Sequence, residues 1–477
     1  MFKKGNPLSF VNNLIDEPFV GEQEGKNTAG MAERVAKILE MDNRDPQKEI
    51  LAGEIYDEIQ QLPVIKEHPY FEPSDIEMIR SEMPKLRPII PAINLTDEQI
   101  QDKIHGAWLG RCAGCLLGKP VEMWDRKRLT GFLKDTGNYP INYYLSSDVA
   151  PEIKEKYSLV PHAWINNVEC APADDDTDYT VLALRMMETY GRDFGPEDVA
   201  ITWLRLIPIF AVNCGGRVAY RNFTDGIEPP RSASFRNPFR DLLGAQIRAD
   251  FYGYVTLGNP ELAVEFAWRD ACISHVRNGI YGAMFIAAII SAAAVMNDPE
   301  QIIRTGLAYI PEKSRLAESI REVLSWKAEG LTWEQASDLL HERFDGLNFD
   351  CLLTTASDMI ICIGVLYGEM DFEKSIGITV ACAYDTDCNA ANVGSVMGMM
   401  LGAKALPQKW VAPLNNELIT SIAGSGRMKI TELASRTFEV WEKAQKSENT
   451  FKGTRKIHKD SKASRYLQNI EEGDTAI

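Results

Sequence analysis

Apolar residues recur at intervals of three and four along most of the chain from about residue 96 onward. This is the period of an amphipathic or buried helix, and the strict alternation typical of strands is scarce. The pattern therefore predicts an all-α body. The predicted helices are Tyr179–Tyr190, Pro196–Phe210, Pro260–Ser274, Gly279–Met296, Pro299–Tyr309, Ser314–Glu329, Thr332–Phe344, Leu352–Gly368, Asp371–Ala383, Cys388–Leu401 and Lys429–Lys446.

A further helix is expected from Thr96 to about Leu117, because Thr96-Asp97-Glu98-Gln99 has the spacing of a capping box. Glycine recurs on it at every fourth position: Gly106, Gly110, Gly114 and Gly118. These glycines lower helix propensity but leave one face small enough for another backbone to approach. We expect this helix to lie deep in the fold.

The chain divides into three parts. Residues 1–91, with short helical patterns at Ala32–Met41 and Gln47–Gln61, form an N-terminal extension; residues 92–446 form the main body, and residues 447–477 form a charged tail. The extension either covers a pocket or forms a subunit contact, and the sequence does not decide between them or reveal whether the protein is a homo-oligomer. Residues 127–172 and 213–241 are predicted loops of the kind that often line pockets.

Composition excludes several classes of function. The 477 residues are 45% hydrophobic with a net charge of −17, which argues against a nucleic-acid partner. The longest apolar run, Ala283–Met296, is too short to cross a bilayer comfortably, so no membrane partner is expected. Nine dispersed cysteines predict reduced thiols and a cytoplasmic location.

Two dense acidic clusters each stand before a predicted helix: Asp174-Asp175-Asp176-Thr177-Asp178 and Asp385-Thr386-Asp387-Cys388-Asn389. Adjacent carboxylates repel one another, and in a partly buried site they must take up protons or bind a cation. Oxygen ligands suit Mg²⁺, Mn²⁺ or Ca²⁺. Together the two clusters supply enough oxygen atoms for a binuclear metal site.

Three segments resemble the ADP-ribosylglycohydrolase family. Gly106-Ala107-Trp108-Leu109-Gly110, continuing through Gly118-Lys119-Pro120-Val121-Glu122, is similar to that family's glycine-rich first helix and Pro-x-Glu. Asp174-Asp175-Asp176-Thr177 resembles its Thr/Ser-Asp-Asp-Thr, and Asp385-Thr386-Asp387 resembles its Asp-Thr-Asp-Thr. The resemblance implies a compact orthogonal multi-helix domain with a hydrolase (glycosidase) activity.

Site residues follow from the resemblance as expectations. It implies two Mg²⁺ or Mn²⁺ ions held by Asp175, Asp176, Asp385 and Asp387, with Asp174 and Cys388 as further candidate ligands. Catalysis is expected to depend on Glu122, Asp176 and Asp387. Predicted substrate-binding residues are His275, Asn389 and Arg248.

Departures from the family pattern leave alternatives open. Cys388 replaces a metal-binding Thr, and a thiol is a poor Mg²⁺ ligand. Either Asp174 compensates, or Asn389 supplies an oxygen, or the ion is softer, such as Mn²⁺. The family's phosphate-binding Gly-Asn-Gly loop appears here only as Leu242-Leu243-Gly244-Ala245-Gln246-Ile247-Arg248. Nearby arginines are therefore candidates for binding another anionic or hydroxyl-rich group: Arg217, Arg221, Arg231, Arg236, Arg240 and Arg248.

The expected reaction is hydrolysis of an N- or O-glycosidic bond at a ribose-like anomeric carbon. The substrate is either an ADP-ribosylated compound or a small nucleoside or glycoside. The remaining alternative is a non-catalytic, crystallin-like member of the family that binds metal without turnover.

Overall fold

The computed structural model describes residues 9–446, so the predicted tail at 447–477 lies outside the described residues. Regular structure in this range is almost entirely helical, and its strands are β1 (Glu417–Ile419) and β2 (Arg427–Lys429), which pair antiparallel. The all-α fold class is confirmed. No helix among the described residues is both long and apolar enough to cross a membrane.

The extension contains α1 (Glu17–Gln23), α2 (Met31–Glu40), α3 (Pro46–Gln61) and α4 (Ile76–Glu82). The body continues with α5 (Asp97–Gly118), α6 (Arg126–Asp135), α7 (Pro151–Lys156), α8 (Asp175–Tyr190), α9 (Pro196–Leu206), α10 (Cys214–Thr224), α11 (Arg231–Ser234), α12 (Asp250–Tyr254), α13 (Pro260–Ala271), α14 (Arg277–Ala293), α15 (Pro299–Leu307), α16 (Arg315–Ala328), α17 (Trp333–Phe344), α18 (Thr354–Tyr367), α19 (Phe372–Ala381), α20 (Thr386–Leu401), α21 (Gln408–Val411) and α22 (Ile430–Lys446). Short 3₁₀ helices span Phe10–Asp16, Lys119–Val121, Ile165–Asn167, Gly191–Asp193, Ile209–Ala211, Leu243–Arg248, Asp350–Leu352, Ala403–Ala405 and Ala412–Leu414.

Helix α5 begins where its capping box predicts. The Thr96 hydroxyl accepts a hydrogen bond from the Gln99 amide at 3.3 Å, and the Thr96 amide donates to the Gln99 side chain at 2.9 Å. Each bond satisfies a main-chain or side-chain group that would otherwise stay unpaired at the helix start. From Gly106 to Gly118 every residue of α5 is buried.

Helices α5 and α20 pack with their backbones in direct contact. A Cβ added at Gly110 would stand well inside 3.0 Å of the Gly394 carbonyl oxygen, and one at Gly114 would do the same to the Ala390 carbonyl. The predicted close approach of another backbone to α5 is therefore confirmed. This packing sets the C-terminus of α5 against the N-terminus of α20.

The extension has a small core of its own, which includes Leu14, Ile55 and Ile59. Two buried ion pairs join it to the body: Arg240 contacts Glu17 at 2.8 Å and Glu24 at 2.7 Å. An ion pair that is almost fully desolvated requires close, well-satisfied geometry. The extension is thus packed against the segment that precedes α12.

Both predicted loops contain helices, so this part of the prediction was wrong. Segment 127–172 includes most of α6 and all of α7, and segment 213–241 includes α10 and α11. Phe132 of α6 packs against Trp124 and Trp164 at ring distances of 5.6 and 5.7 Å. In α10, Gly215 and Gly216 lower helix propensity, but both are buried in close contacts, so tertiary packing overrides propensity here.

Candidate functional site

The two acidic clusters lie at the starts of α8 and α20. Asp174 caps α8, and its carboxylate accepts a hydrogen bond from the Asp176 amide at 2.9 Å. At α20, the Thr386 hydroxyl donates to the Gly118 carbonyl at 2.8 Å, which attaches this helix start to the end of α5. Acidic residues favour a helix N-terminus, where the main-chain N–H groups are exposed.

Arg111 of α5 holds the first turn of α8 through hydrogen bonds to a main-chain carbonyl. Its fully buried guanidinium donates to the Asp176 main-chain carbonyl at 2.5 and 3.1 Å and to the Ile247 carbonyl, and it pairs with Asp250 at 2.8 Å. Arg111 thereby connects α5 to α8, to the 3₁₀ helix Leu243–Arg248 and to α12. Nothing in the local pattern around Arg111 distinguishes it from an ordinary helical arginine.

Four of the acidic side chains converge: those of Asp174, Asp176, Asp385 and Asp387. Ligand atoms of Cys115, Asp174, Asp176 and Asp387 all lie within 4.8 Å of one another, and so do those of Asp385, Asp387 and Cys388. Asp387 is common to both groups. Asp175 faces the adjoining cavity, and its carboxylate accepts a hydrogen bond from the Asn213 side-chain amide at 3.0 Å.

Several of these oxygen atoms are buried without a hydrogen bond. Within residues 9–446, one carboxylate oxygen each of Asp176, Asp385 and Asp387 has no hydrogen-bond partner. Burial raises the pKa of Asp176 to about 7 and that of Asp387 to about 6, and it raises the pKa of Asp385 well above its usual range. The Asp176 oxygen lies 3.7 Å from the Arg111 guanidinium, which compensates it only in part. Buried carboxylate oxygens without hydrogen bonds are costly unless a proton or a cation compensates them, so this donor set fits a hard divalent ion.

Asp174 and Lys119 form a direct ion pair that the sequence motifs did not predict. One Asp174 oxygen accepts from the Asp176 amide and the other contacts the Lys119 ammonium, so both are engaged within the protein. Lys119 was visible only as a neighbour of Pro120 and Glu122. Cys115 was likewise missed, because its place on α5 becomes meaningful only when α8 and α20 pack beside it.

Glu122 follows the 3₁₀ helix Lys119–Val121 and lines the cavity beside the aspartates. Loss of solvation, with the nearby charge of Asp387, raises its pKa to about 7. The next residue, Met123, donates its amide to the Tyr384 carbonyl at 3.0 Å. The segment carrying Glu122 is therefore attached to the segment carrying Asp385.

A cavity of about 570 Å³ opens on this cluster. Glu122, Asp175, Asp176, Asp385 and Asp387 form its acidic part, and the Cys388 thiol lies beside them. Phe239, Leu242, Leu243, Ile247 and Leu352 contribute apolar surface. The remaining polar wall comes from α10 and from the N-terminal extension. Such a mixture of apolar walls and a few polar groups is typical of small-molecule sites.

The three predicted substrate-binding residues are not in this wall. Arg248 pairs with Asp270 behind it and donates to the Gly244 carbonyl at 2.9 Å, so it supports the wall from the protein side. His275 is buried, and one of its ring nitrogens hydrogen-bonds the Ser274 hydroxyl at 2.8 Å. Asn389 uses its side-chain oxygen to accept from the Ser357 hydroxyl at 2.5 Å, which engages the oxygen considered as a metal ligand.

The candidate anion-binding arginines separate into two groups. Arg217 and Arg221 line the cavity, whereas Arg236 pairs with Asp57 at 2.9 Å and Arg240 with Glu17 and Glu24. The latter two therefore connect the body to the extension. Charge pattern alone did not distinguish these roles.

The chain is similar to a solved structure titled "ADP-ribosylglycohydrolase-related protein complex", with 17% identity over 73% of this chain and 99% of that chain, and a TM-score of 0.44. A search among curated proteins found no significant match. The sequence profile described as ADP-ribosylglycohydrolase matches residues 96–447, which covers α5 to α22 and both acidic clusters. The chain therefore belongs to the ADP-ribosylglycohydrolase family.

Proposed function

We propose that this protein is a metal-dependent glycoside hydrolase that cleaves an N- or O-glycosidic bond at a ribose-like anomeric carbon. Family membership supports a glycohydrolase function. The observation that carries the metal-dependent part is the convergence of Asp176, Asp385 and Asp387 with buried oxygens that lack hydrogen bonds among the described residues.

Each acidic residue has a distinct role in this proposal. Asp175, Asp176, Asp385 and Asp387 would hold two divalent ions, Mg²⁺ or Mn²⁺. Bound ions of this kind acidify a water molecule and orient sugar hydroxyls. Because α8 and α20 are attached through Arg111 and Gly118, the carboxylates are preorganised and need little rearrangement.

Glu122 is the proposed proton acceptor. Glu122 lines the cavity beside the aspartates, so its carboxylate can take a proton from a water molecule in the cavity. As the bond from the anomeric carbon to the leaving group breaks, water forms the new bond to that carbon. Glu122 takes one of the water's protons and passes it to the departing nitrogen or oxygen, so the products are the free sugar and the protonated leaving group. Positive charge develops on the sugar ring in an oxocarbenium-like transition state.

Two variants in the same helical turn test the site. Asp176→Asn removes a carboxylate from the cluster. Asp178→Asn is the control, because the Asp178 carboxylate accepts a hydrogen bond from the Ser421 amide at 2.9 Å and belongs to neither convergent group. We expect Asp176→Asn to lose Mn²⁺ binding, measured by calorimetry, together with turnover, and Asp178→Asn to keep both. Normal turnover by Asp176→Asn or by Asp387→Ala would refute the metal assignment.

The substrate is tested with a panel. ADP-ribosyl-arginine, ADP-ribosyl-serine and simple nucleosides are assayed with Mg²⁺ and with Mn²⁺. The changed Gly244 segment, which lacks the family's phosphate-binding Asn, favours a small nucleoside or glycoside over an ADP-ribosylated compound. Mn²⁺ binding without turnover on any of these compounds would instead favour the non-catalytic alternative.

A further inference from the structure

The N-terminal extension supplies part of the cavity wall. Ser9, Asn12 and Asn13, in and beside the 3₁₀ helix Phe10–Asp16, line the same cavity as the acidic cluster. They precede residue 96, where the match to the family begins. This part of the wall is therefore an addition to the segment that carries the family motifs.

The added wall is held firmly in place. The Phe10 ring lies under the Arg236 guanidinium at 4.6 Å, and the Phe10 carbonyl accepts from the Tyr56 hydroxyl at 3.0 Å. The Arg240 pairs with Glu17 and Glu24 secure the next helix. The contact of the Arg236 guanidinium with the Phe10 ring and the buried ion pairs of Arg240 each require a defined geometry. This part of the cavity wall is therefore a fixed surface.

Arg217 places a positive charge in the neighbouring wall. Its guanidinium donates to the Val212 carbonyl at 2.8 Å and to the Asn213 side-chain oxygen at 3.0 Å. In the part of the chain that the structure describes, it forms no ion pair. The same Asn213 side chain donates to Asp175 at 3.0 Å, so a single amide group spans the distance between the guanidinium and the acidic cluster.

A ligand that contacts the acidic cluster at one end and Arg217 and Asn13 at the other must have two ends of different chemistry. Its sugar end meets the carboxylates, and its other end meets a guanidinium and the Asn13 amide. Arginine binds phosphate and carboxylate groups with parallel hydrogen bonds, and an Asn side chain adds a neutral donor. The short span through Asn213 favours a compact molecule in which these ends are separated by little more than the sugar ring.

We propose that Arg217 and Asn13 form a subsite, completed by the N-terminal extension, that selects a compact glycoside bearing a negatively charged phosphate or carboxylate. The inference rests on the proposed function, because the sugar end is placed at the metal-binding carboxylates. Asn13 is a specificity residue in this subsite and Arg217 is the residue that recognises the anion.

The test uses the full-length protein saturated with Mn²⁺ and two probes, ribose 5-phosphate and ribose, with binding measured by calorimetry. We expect ribose 5-phosphate to bind at least about tenfold more tightly than ribose, as one charge-assisted arginine contact provides. Arg217→Gln should remove this preference while the protein continues to bind Mn²⁺. Arg217→Lys should keep part of it, because the charge remains but the paired hydrogen-bond geometry is lost.

Asn13→Trp tests the contribution of the extension. The larger side chain should fill the subsite and weaken ribose 5-phosphate binding at least about tenfold, with little effect on the affinity for Mn²⁺. Ile15→Trp is the matched control, because Ile15 belongs to the same 3₁₀ helix, is 61% exposed and is not in the cavity wall. Asn13→Asp keeps the size of the side chain and adds a negative charge. It should therefore weaken the binding of ribose 5-phosphate more than the binding of ribose.

The outcomes separate this inference from the proposed function. Failure of the wild-type protein to bind Mn²⁺ would refute the proposed function and the subsite with it. Normal Mn²⁺ binding and glycoside turnover, but no preference for ribose 5-phosphate, would refute the subsite alone. A preference that persists in Arg217→Gln, or equal effects of Asn13→Trp and Ile15→Trp, would also overturn the assignment.

Discussion

Gly114→Ala should destabilise the protein, although alanine is the better helix former. In an unobstructed helix the change would contribute about 1 kcal/mol of stability through propensity. At this position, however, the new Cβ would lie well inside 3.0 Å of the Ala390 carbonyl oxygen and would also approach the Ala391 amide closer than 3.0 Å. These are main-chain atoms of α20, which no rotamer change can move away.

The magnitude follows from the packing of α5 on α20. The helices must separate, and that separation also loosens the contacts at Gly110 and Gly106, where the partners are the carbonyls of Gly394 and Gly398. Overpacking in a core costs about 1–3 kcal/mol and occasionally more, and rigid backbone on both sides places this site at the upper end. After the propensity gain, we expect a net loss of about 2 kcal/mol.

The assay is calorimetric unfolding of wild type, Gly114→Ala and a control. With an unfolding entropy of about 2.1 cal/mol/K per residue over roughly 350 residues, 2 kcal/mol lowers Tm by roughly 3 °C. Gly377→Ala in α19 is the control, since its Cβ would come no closer than 3.2 Å to the Ile141 carbonyl oxygen. Mn²⁺ affinity should also fall in Gly114→Ala, because α20 carries Asp387. Equal Tm values for the two variants would refute the reasoning.

Three further predictions concern charge. Burial raises the pKa of Asp358, whose carboxylate oxygens have no hydrogen-bond partner within residues 9–446, well above its usual range. The folded state then retains a proton that the unfolded state loses, so stability falls as pH rises above about 4. Asp358→Asn should therefore gain Tm relative to wild type between pH 5 and pH 8, and a pH-independent difference would contradict this. Arg240→Met leaves Glu17 buried without its ion-pair partner and leaves Glu24 with Lys26, so it should cost about 3–5 kcal/mol in chemical unfolding, whereas Arg34→Met, in an exposed pair, should cost much less. Mn²⁺ at about 100 times its Kd should stabilise the fold by about 2.7 kcal/mol, measured as a Tm increase that a chelator reverses; no increase would count against a metal site.

The helices could be predicted from the sequence because the signals for helix formation lie within a few residues of one another. The capping box at Thr96 and the apolar period of α14 depend on residues a few positions apart, so they are readable without any knowledge of the fold. Helix starts were less accurate: α8 begins at Asp175 and α20 at Thr386, so Asp174 and Asp385 are N-cap residues, whereas Asp175, Asp176, Asp178 and Asp387 lie in the first turns. The two predicted loops failed because buried contacts stabilise α6 and α10 despite weak local signals.

The sequence by itself determined the all-α class, the acidic helix starts and the residues that carry the family motifs. Only the tertiary structure brought Lys119 to Asp174, placed Arg111 beneath α8, moved Arg248 behind the cavity wall and added Asn13 to that wall. The physical reason is that helix formation depends on neighbours along the chain, whereas a site depends on which helices pack together. Here that choice is made by the glycine faces of α5 and α20, whose close contact sets the aspartates from distant segments around one cavity.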